Sequence, residues 1–214
     1  MNNLIIATRN AHKVVEIQAI LGSNFHCLTL DRLTGVPDVV EDADTFVGNA
    51  VKKARELREW LLENQPERGL EISHVLADDS GLEVDALNGA PGVHSARFAA
   101  LDGDLLKNSS SAENNAKLLR MLAEVPSPQR TARFRCVIAM ASTDGEQPLI
   151  ETFEGVCEGR IDTKPGGAGG FGYDPLFIPL GHDKSFAELG ETVKNGLSHR
   201  SKALAAVKMR FALQ

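Results

Sequence analysis

Apolar and polar positions fall into blocks along the chain, and the period of each block points to the element it builds. Leu4-Ile5-Ile6-Ala7 is a short apolar run of the kind a buried strand presents, and it stops at the polar Thr8-Arg9-Asn10. Val14, Ile17, Ile20 and Leu21 then recur at helical spacing, and Gly22 stands where a helix would stop. The opening therefore reads strand, polar turn, helix. A second strand over roughly 25–30 leads through Pro37 to the acidic stretch Glu41-Asp42-Ala43-Asp44. Phe46, Ala50, Ala54, Leu57 and Leu61 then predict a long helix, with Asp44 or Thr45 as its N-cap and Pro66 beyond its end.

His74-Val75-Leu76-Ala77 predicts another strand, ended by Asp78-Asp79-Ser80-Gly81, with 82–87 continuing in extended fashion. Asn88-Gly89 and Pro91-Gly92 are turn signals. Ser110 and Glu113 form a capping box, and Leu118, Leu119 and Leu122 supply the apolar stripe of the helix it opens. Residues 131–142 and 149–157 are β-rich and flank Asp144-Gly145, which predicts a long antiparallel hairpin. The stretch 165–175 holds five glycines, too many for an element interior, so it is a loop whose backbone must approach something closely. A final helix from about Ser198 carries Leu204, Val207 and Phe211. Strands alternating with helices make this an α/β protein.

Composition narrows the function more than the fold. A chain of 214 residues with 43% hydrophobic residues buries one substantial core, with room for two lobes. Acids outnumber bases by 29 to 23, and the formal charge of −6 argues against a nucleic-acid surface, so any phosphate site must be local. No apolar run approaches the ~18 residues a membrane span requires, and MNNLIIATRN has neither a basic leader nor a long apolar stretch, so the expectation is a cytoplasmic protein. Cys27, Cys136 and Cys157 are odd in number and widely spaced, which favours buried free thiols over disulfides or a metal site.

Four polar groups interrupt this scaffold where elements end, the place where α/β folds put their ligands. Thr8-Arg9-Asn10-Ala11-His12-Lys13 sits at a strand-to-helix turn whose N–H groups suit phosphate oxygens, although an Asn N-cap beside a solvated lysine would look the same. Glu41 and the adjacent Asp78-Asp79-Ser80 gather carboxylates at the end of an apolar run, where they repel and lose solvation. Hard oxygen ligands of this kind select Mg²⁺ shared with substrate phosphates; alternatively one carboxylate serves as a general base, or the segment is only an Asp-Ser-Gly turn. Phe171-Gly172-Tyr173-Asp174-Pro175 ends the glycine loop, where an aromatic ring can meet a flat ligand, unless it is only a mobile surface loop. Lys194 with Ser198-His199-Arg200 offers donors for a keto oxygen or phosphate, or a Ser N-cap beside solvated bases.

In this order and at these separations the four groups resemble the inosine triphosphate pyrophosphatase family, whose bacterial members act as XTP/dITP diphosphatases. Thr45-Phe46 with Asn49-Ala50, Gly89-Ala90-Pro91-Gly92 and Ser95-Ala96-Arg97 extend the match over essentially the whole chain. The resemblance implies an elongated mixed β-sheet with flanking helices, two lobes around a central substrate cleft, and a homodimer without nucleic-acid or membrane partners. It implies that Thr8, Arg9, Asn10, Ala11, His12 and Lys13 bind substrate, with Thr8, Asn10 and Lys13 on the triphosphate. Glu41 and Asp79 would hold Mg²⁺, Asp79 would be the proton acceptor with Asp78 as a neighbouring acid, and Ser80 would touch substrate. Phe171 would stack on the purine, Gly172, Tyr173 and Asp174 would complete the nucleoside pocket, and Lys194, His199 and Arg200 would read the base and its 6-keto oxygen.

The reaction so implied is attack of water on the α-phosphorus and loss of pyrophosphate from dITP, ITP or XTP, with ATP and GTP poorer. Two departures stand out. Gly48 occupies a position where relatives often carry Glu, and 63–73 is longer than usual and reads as a surface connection. Two rival readings remain: a Maf-like nucleotide pyrophosphatase, whose motifs would have to replace Ser198-His199-Arg200, and a sensor that binds nucleotide without cleaving it.

Overall fold

The computed structural model describes residues 2–64, 72–103 and 108–213. In chain order its main elements are β1 (Asn2–Ile6), α1 (Ala11–Leu21), β2 (Phe25–Thr29), α2 (Phe46–Asn64), β3 (His74–Val84), α3 (Ser111–Met121), β4 (Thr131–Ser142), β5 (Ile150–Ile161), β6 (Phe177–Pro179), α4 (Phe186–Leu197) and α5 (His199–Ala212). The strands form one six-stranded sheet in the order β2-β1-β3-β4-β5-β6. β1 runs parallel to both β2 and β3, while β5 and β6 are antiparallel, so the sheet is mixed, as expected.

Local chemistry explains the boundaries. Asn10 caps α1, its side-chain oxygen accepting from the N–H of His12 at 3.0 Å and of Lys13 at 3.2 Å. Gly22, at φ 76°, ends that helix and donates its N–H to Gln18. Thr45 caps α2 by accepting from Gly48 N–H at 3.0 Å, and the Ser110–Glu113 capping box opens α3. β4 alternates between buried and partly exposed up to Arg135 and is then buried continuously from Cys136 to Ala141, the pattern of a strand covered on both faces.

The chain divides into two units: a first of residues 1–79, 136–155 and 200–214, and a second of 80–135 and 156–199. The first has its own core, built from Leu4, Ile6, Ile17, Leu76, Ile138 and Leu204 with their neighbours. The second is centred on Leu82, Phe98, Leu118, Phe134, Phe177 and Phe186. Two of the chain's passages from unit to unit fall inside sequence motifs, between Asp79 and Ser80 and between His199 and Arg200.

One feature differs from expectation, and two elements, β6 and α4, have no counterpart among the elements expected from the sequence. β3 runs unbroken through Asp78-Asp79-Ser80-Gly81, so these residues are strand and not turn. β6 has three residues, too few to show a period. α4 contains Gly190 at φ 78°, a kink that breaks the apolar pattern, although its Ser185–Glu188 capping box repeats the one at Ser110. Cys27, Cys136 and Cys157 are thiols without a disulfide, the last two buried and Cys27 half-buried. Most of the stretch 63–73, with Pro66, lies outside the described residues. Among the described residues no helix is long and apolar enough to cross a membrane.

Candidate active site

Because successive strand residues face opposite sides, Asp78 and Asp79 on β3 meet different partners. Asp78 is 1% exposed. Its Oδ2 accepts from Arg200 Nε at 2.9 Å, and its Oδ1 accepts from Arg200 Nη2 at 3.3 Å and Lys13 Nζ at 2.5 Å. Cys136 Sγ lies 3.2 Å from the same Oδ2. Arg200, also 1% exposed, donates its remaining nitrogen, Nη1, to the Glu16 carboxylate on α1. Burial alone would raise Asp78, but the Arg200 guanidinium and the Lys13 ammonium hold it well below the usual carboxylate range.

Asp79, 5% exposed, turns to Lys53 on α2, whose Nζ is 2.9 Å from Oδ1. The same ammonium lies 2.8 Å from the Asp78 carbonyl and 3.2 Å from Glu41 Oε1. Asp79 Oδ2 is buried and has no hydrogen-bond partner among the described residues. Burial pushes the Asp79 carboxyl up to about 6; Lys53 and Lys13 pull it down, and the charge on Glu41 adds to the rise. Glu41, against the desolvation that would raise it, is held below its ordinary value by Lys53. Two neighbouring carboxyls thus titrate in opposite directions, the pattern that separates a fixed anion from a base.

The buried orphan oxygen of Asp79 and the half-buried carboxylate of Glu41 are hard donors, and together they fit Mg²⁺. Among the described residues no three His, Cys, Asp or Glu side chains converge as a metal cage. Two carboxylates suit a cation that takes its other ligands from water and phosphate.

At 8–13, Thr8 Oγ1 accepts from Asn10 N–H at 3.2 Å, and Asn10 spends its side-chain oxygen on the N-cap. The N–H groups of His12 and Lys13 therefore already donate, and the Lys13 ammonium, the Thr8 hydroxyl and the Asn10 side-chain amide N–H are among the groups this turn can offer an anion. Arg9 is exposed and turns away to Asp38 at 2.6 Å and the Val36 carbonyl at 2.7 Å. Ala11 and His12 are exposed on the first turn of α1.

The second unit builds a different site. Lys194 Nζ, 2.6 Å from Asp174 Oδ2, sits 4.5 Å from the Phe171 ring centroid. Asp174 Oδ2 also accepts from Phe171 N–H at 2.8 Å. A Cβ on Gly170, which is at φ 72°, would fall 2.3 Å from that oxygen, so only glycine lets the loop close here. Gly172 N–H donates to Ser111 Oγ at 3.1 Å, and its carbonyl accepts from Asn115 Nδ2 at 3.0 Å. Tyr173 is buried, its hydroxyl donating to the Ser95 carbonyl at 2.9 Å. The His199 ring stacks on Phe134 at 4.8 Å and 13°. Ser80 is half-buried on β3. The loop is fastened on all sides, with the half-buried Phe171 ring at its head.

The sequence motifs left out Lys53 and Glu16. Both had a signal: each is a charged residue on the apolar stripe of its helix, Lys53 between Ala50 and Leu57, and Glu16 one turn after Lys13 and beside Ile17.

A family model described as the Ham1 family matches residues 4–210. A protein of Rhodopirellula baltica named dITP/XTP pyrophosphatase is 47% identical over 205 residues, 95% of this chain and 90% of that protein. Among solved structures, a HAM1 protein from Coxiella burnetii superposes with a TM-score of 0.80 at 36% identity, covering all of both chains. The Ham1 protein of Staphylococcus aureus does so with a TM-score of 0.79 at 34% identity, covering 99% of this chain and 98% of that one.

Proposed function

Since the chain belongs to the Ham1 family, we propose that it hydrolyses non-standard purine nucleoside triphosphates, dITP, ITP and XTP, to the monophosphate and pyrophosphate. The observation that carries the reading is the split between Asp78 and Asp79. Asp78 is locked as an anion by two cations, while the Asp79 carboxyl is lifted to about 6. A base poised near neutral pH is what deprotonating water requires.

Lys53 holds Asp79 at Oδ1, and the Asp79 carboxylate takes up the proton of the water that attacks the α-phosphorus. Lys13, with the Thr8 hydroxyl, takes the triphosphate oxygens and offsets the charge that grows on them. Mg²⁺, held by Glu41 and Asp79, would supply further charge neutralisation as pyrophosphate leaves. No covalent bond to the protein is needed. Phe171 offers its ring to the purine, and the nearby Lys194 ammonium, a donor with no acceptor capacity, favours a keto oxygen at position six over an amino group. The reading also takes a homodimer as the assembly, carried over from the family resemblance, and the cytoplasm as the place of action, carried over from the sequence reading.

The test is a substrate panel. Pyrophosphate release with Mg²⁺ should be fast from ITP, dITP and XTP and much slower from ATP and GTP, and chelation of the metal should abolish it. Equal turnover of ATP and ITP would overturn the selectivity, and binding of ITP without release would point to a sensor.

A further inference from the structure

We infer that Glu16 is a positioning residue for this reaction: acting through Arg200 and Asp78, it fixes the Lys13 ammonium where the triphosphate is bound. The inference rests on the assignment of Lys13 to the triphosphate. Its geometric basis is an alternating chain of four charges, Glu16, Arg200, Asp78 and Lys13, in which each group touches the next. By side chain, Asp78 is 0% and Arg200 1% exposed, Glu16 11% and Lys13 16%, so the two middle members are closed to solvent and Lys13 is the most open of the four.

The reason Glu16 matters is charge balance. Two cations, Arg200 and Lys13, share the single Asp78 carboxylate, and Oδ1 accepts from both. That arrangement holds because Glu16 takes the third arm of the Arg200 fork and matches its charge. Without the Glu16 charge, the buried Arg200 and the half-buried Lys13 would compete for the Asp78 carboxylate. Arg200, gripped at two atoms and fully enclosed, would keep it. Lys13 would be displaced, although nothing in its own surroundings had changed. A buried glutamate on the apolar face of α1 is costly unless paired, and this pairing gives it a use.

The experiment is a double-mutant cycle on the full-length enzyme with Mg²⁺ and ITP, reading kcat and KM from pyrophosphate release. Glu16→Gln keeps the shape and removes the charge; it should lower kcat/KM about tenfold, mostly through KM. In a Lys13→Met background the same substitution should change kcat/KM less than about twofold, because the residue it positions is gone. Glu16→Asp, which keeps the charge, should recover most of the loss; should Glu16→Gln fail to fold, Glu16→Met, which removes the charge at similar volume, takes its place in the cycle. An equal loss in both backgrounds would mean that Glu16 serves only the fold, and no loss in either would mean that it positions nothing. If Lys13→Met by itself left ITP turnover intact, the assignment of Lys13 would fall, and this inference with it; additive losses beside a damaging Lys13→Met would overturn the inference alone.

Discussion

Around Asp78 and Asp79, in the first unit, four carboxylates and three cations are linked in one network, with Lys53 serving Asp79, Glu41 and the Asp78 carbonyl at once. Around Asp174, in the second unit, the Lys194 ammonium meets the carboxylate at 2.6 Å and lies 4.5 Å from the Phe171 ring centroid and 5.9 Å from that of Phe186. The crowded group has more acids than bases, so a proton or a divalent cation settles its balance, and one member, Asp79, is lifted into the neutral range. The Lys194–Asp174 pair matches one charge with one, and its carboxylate also holds the Phe171 N–H. Charge that is out of balance suits chemistry on phosphates, and charge that is matched suits the recognition of a flat ring.

Substitutions on the two sides should therefore separate in kind. Lys13→Met should have the larger effect, lowering kcat/KM for ITP about 100-fold by removing a charge-assisted contact. It should leave the preference for ITP over ATP unchanged; a lost preference would show that the two groups do not divide the work. Phe171→Ala should raise KM for ITP about tenfold while kcat stays within about twofold, as expected when stacking on a base is removed. An unchanged KM would argue against stacking.

A smaller effect distinguishes the groups by pH. The folded protein raises Asp79 from 3.8 to about 6, so it binds that proton more tightly than the unfolded chain does. The group is therefore least costly to the fold below the unfolded value, and its cost grows as pH rises through about 6. Without metal at pH 7.5, Asp79→Asn should be more stable than wild type by on the order of 2 kcal/mol, seen as a Tm higher by several degrees. The gap should close as pH falls from about 6 towards 4. A variant less stable than wild type at pH 7.5 would show that the Lys53 contact outweighs the burial.

Much of this contrast was legible in the chain. Strand, turn and helix at the start, the Asn10 and Ser110 caps and the glycine loop follow from local patterns that the structure keeps. β3 was read as broken because two aspartates in succession look like a turn; only their partners on α1, α2 and α5 allow them to be strand. Lys53, Glu16 and the depth of Arg200 were hidden for the same reason, since a charged residue's burial depends on counter-charges distant in sequence. The second unit's motif residues were visible as a set, but Tyr173 reaches the Ser95 carbonyl, Lys194 on α4 reaches Asp174, and Asp174 holds the Phe171 N–H, contacts that no spacing reveals. The Gly48 departure also gains a physical side: a Cβ there would lie 2.7 Å from Ala43 Cβ, in the loop that carries Glu41.

The account turns on Asp79 as the group that accepts the proton from water. The direct measurement is pyrophosphate release by Asp79→Asn at saturating ITP and Mg²⁺, paired with ITP binding by calorimetry. The account predicts a rate lower by at least about 10³-fold with ITP still bound, in keeping with the loss of a general base. A rate near that of the wild type would contradict it.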